Sequence, residues 1–197
     1  MLHVGVRLAP VRPRQRDAGF AGAQPLSPQR KWQTITLATL LLVPAYWAIL
    51  AGLVSAGASD GDEGSPHAGL ALAFGLSLIP FVFVALAFIS GHPRAPGAVV
   101  KAMGLAILVG IPVSAIAGDA VTGIVAGVGA GGVVALRPDD PDGRKARVVG
   151  VLVASIYTFA LVRMIGALAL FPAPIFPLTA IGLADHLFER RRERAQT

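Results

Sequence analysis

Two long apolar stretches limit what this chain can fold into more than any other feature. Residues 99–136 number 38 and carry only two charged side chains, Lys101 and Asp119. Residues 148–188 number 41 and carry only Arg163 and Asp185, with His186 beside the latter. A straight α-helix of 38 residues would be about 57 Å long, nearly twice the ~30 Å hydrocarbon core of a bilayer. Each stretch must therefore turn back on itself. Gly118-Asp119 supplies turn chemistry at the middle of the first. Phe171-Pro172-Ala173-Pro174-Ile175-Phe176-Pro177 supplies it in the second, because three prolines cannot lie inside a continuous helix. This places helices at 99–117, 120–136, 148–170 and 174–188, the last of them short for a crossing.

The N-terminal half adds two more apolar runs, 33–57 and 68–90, each long enough to span. The first is longer than a signal-peptide core, so it reads as an uncleaved helix despite the small residues Ala56-Gly57-Ala58. Between the two runs lies Ser-Asp-Gly-Asp-Glu-Gly-Ser-Pro-His, residues 59–67. Asp60, Asp62 and Glu63 resemble part of a calcium-ligand set, but the later bidentate glutamate of such a loop is missing, so a solvated loop is expected. Residues 1–31 form a basic, proline-interrupted tail and residues 189–197 a second basic tail, leaving 32–188 as one helical membrane domain.

Charge placement sets the expected orientation. Of the 17 Lys and Arg residues, sixteen fall in the two tails, at Arg94 and Lys101, or in the loop 137–147; the seventeenth is Arg163. Six crossings with both termini on the cytoplasmic side put all sixteen on the side that retains positive charge. The expected fold class is therefore all-α, a polytopic bundle of about six transmembrane helices. The net charge of +6 then reads as an orientation signal, and nucleic acid is not an expected partner. With 54% apolar and 14% charged residues the chain also departs from soluble domains, which carry roughly 25% charged residues.

Helix 120–136 repeats Gly123, Gly127 and Gly131 every four residues, with Ala126 and Ala130 alongside. Such a stripe lets another backbone approach closely, either in this chain or in a partner. The formal G-x-G-x-x-G at residues 127–132 lies late in an apolar span without any βα pattern, so it does not read as a dinucleotide loop. Pro44, Pro80 and Pro112 fall inside three of the spans, where neighbouring helices can satisfy the freed carbonyls.

The intramembrane charges Asp119, Arg163 and Asp185 are functional candidates by position. Arg163 and Asp119 sit at similar depth near the outer face, which predicts an ion pair between them. Lys101 is the expected partner of Asp185. The four histidines are scattered and there is no cysteine, so no metal site, cofactor site or catalytic constellation is expected.

The segments Gly-Asp-Ala-Val-Thr-Gly-Ile-Val-Ala-Gly-Val-Gly-Ala-Gly-Gly-Val-Val-Ala-Leu-Arg-Pro-Asp-Asp (118–140) and Phe-Pro-Ala-Pro-Ile-Phe-Pro-Leu-Thr-Ala-Ile-Gly-Leu-Ala-Asp-His-Leu-Phe-Glu-Arg-Arg (171–191) resemble a group of small actinobacterial membrane proteins. That group includes an accessory subunit of the mammalian-cell-entry (Mce) lipid-import complexes. The resemblance implies a non-catalytic subunit bound beside a lipid permease, with lipid bilayer and other membrane subunits as its partners. The competing expectation is a small-solute or ion transporter or channel working through Asp119, Arg163 and Asp185.

Overall fold

The computed structural model describes residues 26–58, 66–138 and 141–196. The tail 1–25 and most of the acidic stretch, 59–65, with Asp60, Asp62 and Glu63, lie outside the described residues.

The described chain is all-α, with six helices: α1 Pro28–Ala58, α2 Pro66–Ile89, α3 Ala95–Ala117, α4 Ala120–Ala135, α5 Pro141–Ile165 and α6 Phe176–Gln196. Two 3-10 turns, Gly166–Leu170 and Ala173–Ile175, join α5 to α6. α1, α2, α3 and the run from α5 through the first 3-10 turn are long and apolar enough to cross a membrane. α4 is apolar but has 16 residues, a length of about 24 Å.

Both long stretches reverse where the turn chemistry lies. Gly118 ends α3 in the left-handed region at φ 69°, donating its N–H to Ser114 O at 2.9 Å. A side chain is disfavoured in that region, and glycine enters it freely. Asp119 is extended and caps α4, accepting the Thr122 N–H on Oδ1 at 2.6 Å. In the second stretch the α-helix stops at Ile165, earlier than the expected 170; one 3-10 turn, Gly166–Leu170, precedes the proline-rich segment and the other, Ala173–Ile175, lies within it.

Other boundaries also differ from the hydropathy reading: α2 and α3 begin early, at Pro66 and Ala95, α6 begins late, at Phe176, and three helices extend into charged sequence. α1 starts at Pro28 and not at 33, with Ser27 Oγ accepting the Arg30 N–H at 3.3 Å. Proline suits the first turn because its missing N–H would have no partner there. α5 starts at Pro141 and not at 148, so most of the charged loop is helical. α6 continues past 188 to Gln196, since Glu and Arg are strong helix formers and no breaker intervenes.

α4 is the axis of the bundle. Twelve of its 16 residues are buried, and it contacts α2, α3, α5 and α6. Its glycines make this possible. A Cβ at Gly123 would stand 2.7 Å from Gly110 O, at Gly127 2.6 Å from Ala106 O, and at Gly131 2.8 Å from Ala102 O. Those neighbours belong to α3 at the same four-residue spacing. The stripe Gly123, Gly127 and Gly131 is therefore one half of an intramolecular seam between two antiparallel helices. Gly129 faces Val151 of α5, and Gly132 faces Leu178 and Ile181 of α6. The principal core gathers Leu42 from α1, Phe83 and Leu86 from α2, Val128 and Val133 from α4, Val151 and Ile181.

Candidate functional site

The densest polar chemistry sits at one end of the bundle, where α1, α5 and α6 meet the last turn of α4. Lys31, Arg147 and Asp185 are only 4%, 2% and 4% exposed. Each continues the buried stripe of its own helix. Lys31 precedes Ile35, Ala38 and Leu42; Arg147 precedes Val151, Ala154 and Thr158; Asp185 follows Leu178 and Ile181. Charges on those stripes have no choice but to face one another.

Arg147 and Asp185 form a bidentate pair, with Nε donating to Oδ1 at 2.7 Å and Nη2 to Oδ2 at 2.6 Å. The guanidinium also closes the C-terminus of α4: Nη1 donates to Leu136 O at 2.9 Å and Nη2 to Arg137 O at 3.0 Å. A helix end leaves carbonyls without intrahelical partners and carries partial negative charge, so a buried cation is suited to it. Lys31 Nζ lies 3.5 Å from Asp185 Oδ2 and 2.5 Å from Glu189 Oε1. One residue further round, Ser90 Oγ at the end of α2 accepts the Arg137 N–H at 3.1 Å. Four helix ends and a turn are thus drawn to one buried cluster.

The structure corrects the expected partner of Asp185. Lys101 is exposed on α3, and Asp185 is bound by Arg147 and Lys31. By hydropathy both lie outside the helices, where they read only as orientation charges. Extending each buried stripe by one turn would have found them.

At the opposite end the expected ion pair between Asp119 and Arg163 is not formed. Arg163 Nη2 instead donates to Ala117 O, the last carbonyl of α3, at 3.0 Å. Its guanidinium carbon lies 5.1 Å from the Phe159 ring centroid. Asp119 is occupied as the α4 cap, and its Oδ2 is buried without a hydrogen bond, as are Tyr46 Oη and Thr122 Oγ1. The anticipated tie between α5 and the α3–α4 hairpin exists, but a backbone carbonyl makes it.

Of the small residues on α4, Ala126 is buried and Ala130 half-buried. Among the described residues no three His, Cys, Asp or Glu side chains gather as a metal-binding group. No family model matches the chain, and neither the curated proteins nor the solved structures contain a significant match to it.

In the α2–α3 connector His92 accepts the Arg94 N–H on Nδ1 at 3.1 Å. Burial, followed by the charges of Arg144, Arg137, Arg147 and Arg94, holds the imidazole below its ordinary value of 6.5. The basic residues of three separate loops and helix ends thus converge on the same end of the bundle as the buried cluster.

Proposed function

We propose that this chain is a non-catalytic, multi-pass membrane subunit that binds and stabilises a larger lipid-transport complex of the cell envelope. Six crossings put both tails on the cytoplasmic side, with the buried charge cluster at the inner end. Among the described residues, Arg30 and Lys31, the basic stretch 137–147 and the arginines that follow Glu189 lie towards that end, as the retention of positive charge on the cytoplasmic side would have it.

The observation that carries the subunit reading is the exposure of α3. Of its 23 residues only four, all alanines, are buried. Val100, Leu108, Ile111 and Ile116 present a broad apolar surface, with Ile116 87% exposed. Its inner face is sealed against α4 by the small-residue seam, so the outer face remains for a neighbouring subunit or lipid. The charges inside the bundle support the same reading. Asp185 is enclosed by two cations, Asp119 caps a helix, and Arg163 binds a helix end. Each has a scaffold task, which weighs against the transporter or channel alternative.

The test is purification of the tagged full chain in mild detergent with identification of co-purifying proteins. Recovery of a permease and its lipid-transport partners, reduced by Leu108→Ala/Ile111→Ala on α3, is the expected result. Recovery of a monomer or homo-oligomer alone contradicts it. Solute flux through liposomes holding only this chain would establish the transporter reading instead.

A further inference from the structure

A groove of about 580 Å³ runs between α5 and α6 on the outer surface of the bundle. Small residues make it. Gly150, Ala180 and Ala184 let the two helices close to backbone contact, so a Cβ at Gly150 would stand 2.8 Å from Ala180 O. The larger side chains on either side, among them Val153 and Leu183, rise above this floor as walls. At one end Tyr157 and Phe176 meet edge to face, their centroids 5.2 Å apart. At the other end the groove opens beside Arg191. Apart from Arg191, its only polar side chains are Tyr157 and Thr179.

Length and charge decide what fits. Ala146 to Tyr157 is about 16 Å along α5, close to half of the ~30 Å hydrocarbon core. Phe176 to Arg191 is about 22 Å along α6, close to half of the 40–45 Å bilayer including headgroups. The groove therefore matches one leaflet. A transmembrane helix of a partner would seat along a groove that runs through the whole core, whereas the ring pair closes this one about half-way. Arg191 stands at headgroup level between Arg190 and Arg192, and the preceding acid, Glu189, is held by Lys31. A guanidinium there can take two phosphate oxygens in parallel.

We propose that this groove binds one acyl chain of an anionic phospholipid of the cytoplasmic leaflet, with the phosphate on Arg191. The site rests on the membrane-spanning reading above and needs no partner protein. It would hold a lipid at the α5–α6 seam, directly outside the buried charge cluster.

The experiment is native mass spectrometry of the purified full chain, titrated with phosphatidylglycerol or phosphatidylcholine of equal chain length. The native protein should bind phosphatidylglycerol about tenfold more tightly. Arg191→Gln should remove that preference and leave a weak, headgroup-independent affinity. Val153→Trp should remove both, because Val153 is 61% exposed on the groove wall and a large ring there fills the space without entering the core. If that variant does not fold, Leu187→Trp, also exposed on the wall, takes its place. Equal binding of the two lipids by the native protein, or unchanged binding in the filled variants, overturns the proposal. A dimer lost only on filling the groove would assign it to a second copy. Retention of the protein in membranes after alkaline extraction reads the spanning arrangement separately, so a lost lipid site and a failed membrane reading are distinguishable.

Discussion

The two ends of the bundle handle charge in opposite ways. At the end where α4 finishes, oppositely charged side chains from α1, α5 and α6 are buried against one another, and Arg147 also binds the carbonyls of Leu136 and Arg137 just past α4. At the opposite end, the α3–α4 hairpin, Asp119 and Arg163 lie close in the fold yet ignore each other, each serving a helix terminus. The difference follows from burial. A charge forced deep into the interior must find a counter-ion, because the unpaired form is too costly. One near a helix end already has partial charges of the right sign: N–H groups at the start of α4 for Asp119, and carbonyls at the end of α3 for Arg163. Similar depth in a membrane is therefore weak evidence for an ion pair, whereas membership of a buried stripe is strong evidence for one.

The sharpest way to break this contrast is at Arg147. Arg147→Met leaves the carbonyls of Leu136 and Arg137, just past α4, without this donor and Asp185 with only the more distant Lys31. Losing one partner of a buried pair costs roughly 3–5 kcal/mol. Thermal unfolding in detergent should show a severe loss, and Arg147→Met/Asp185→Leu should recover a substantial part of it. A double variant as damaged as the sum of the two singles would mean that the inner charges are not coupled.

The α3–α4 hairpin end should give smaller and additive losses. Asp119→Ala removes a helix cap and should cost about 1 kcal/mol. Arg163→Gln weakens one charge-assisted bond at an exposed side chain and should cost about 1 kcal/mol or less. The double variant should equal their sum to within about 0.5 kcal/mol. A larger coupling energy would restore the ion pair that the structure lacks.

The smallest effect concerns pH at the end that holds the buried cluster. His92 is held below its ordinary value by burial and by the surrounding arginines, so the unfolded chain takes up a proton at higher pH than the folded one. Stability at this residue is complete above pH 6.5 and declines as pH falls from there towards the lowered folded value. His92→Asn keeps an acceptor for the Arg94 N–H but cannot titrate. The acid side of the stability curve should become shallower in that variant, with no change above neutrality. An unchanged curve would place the arginine charges out of reach of the imidazole.

Much of the fold was legible because length alone forces reversals. The stretches 99–136 and 148–188 cannot be single helices, and Gly118-Asp119 and the 171–177 prolines turn as their chemistry requires. The glycine spacing on α4 foretold close packing but not its partner, since a stripe of small residues carries no address; the matching Ala102, Ala106, Gly110 and Ser114 on α3 supply it. Helix ends were less legible, because hydropathy marks the bilayer and not the helix. Pro141–Arg147 and the residues after Phe188 are helical without being apolar. The same misplacement at the starts of α5 and α1 conceals Arg147 and Lys31, whose importance follows only once those helices are extended. The path of Arg163 to a backbone carbonyl had no sequence signal, because every helix end offers such an acceptor.

The central claim, that the chain crosses the membrane with its buried charge cluster facing the cytoplasm, can be tested directly because the native sequence has no cysteine. Ser59→Cys and Lys145→Cys place single thiols after α1 and in the first turns of α5, at opposite ends of the expected bundle. In intact cells a membrane-impermeant maleimide should label the first and reach the second only after permeabilisation. Labelling of both from the same side, or of Lys145→Cys alone from outside, would contradict the arrangement.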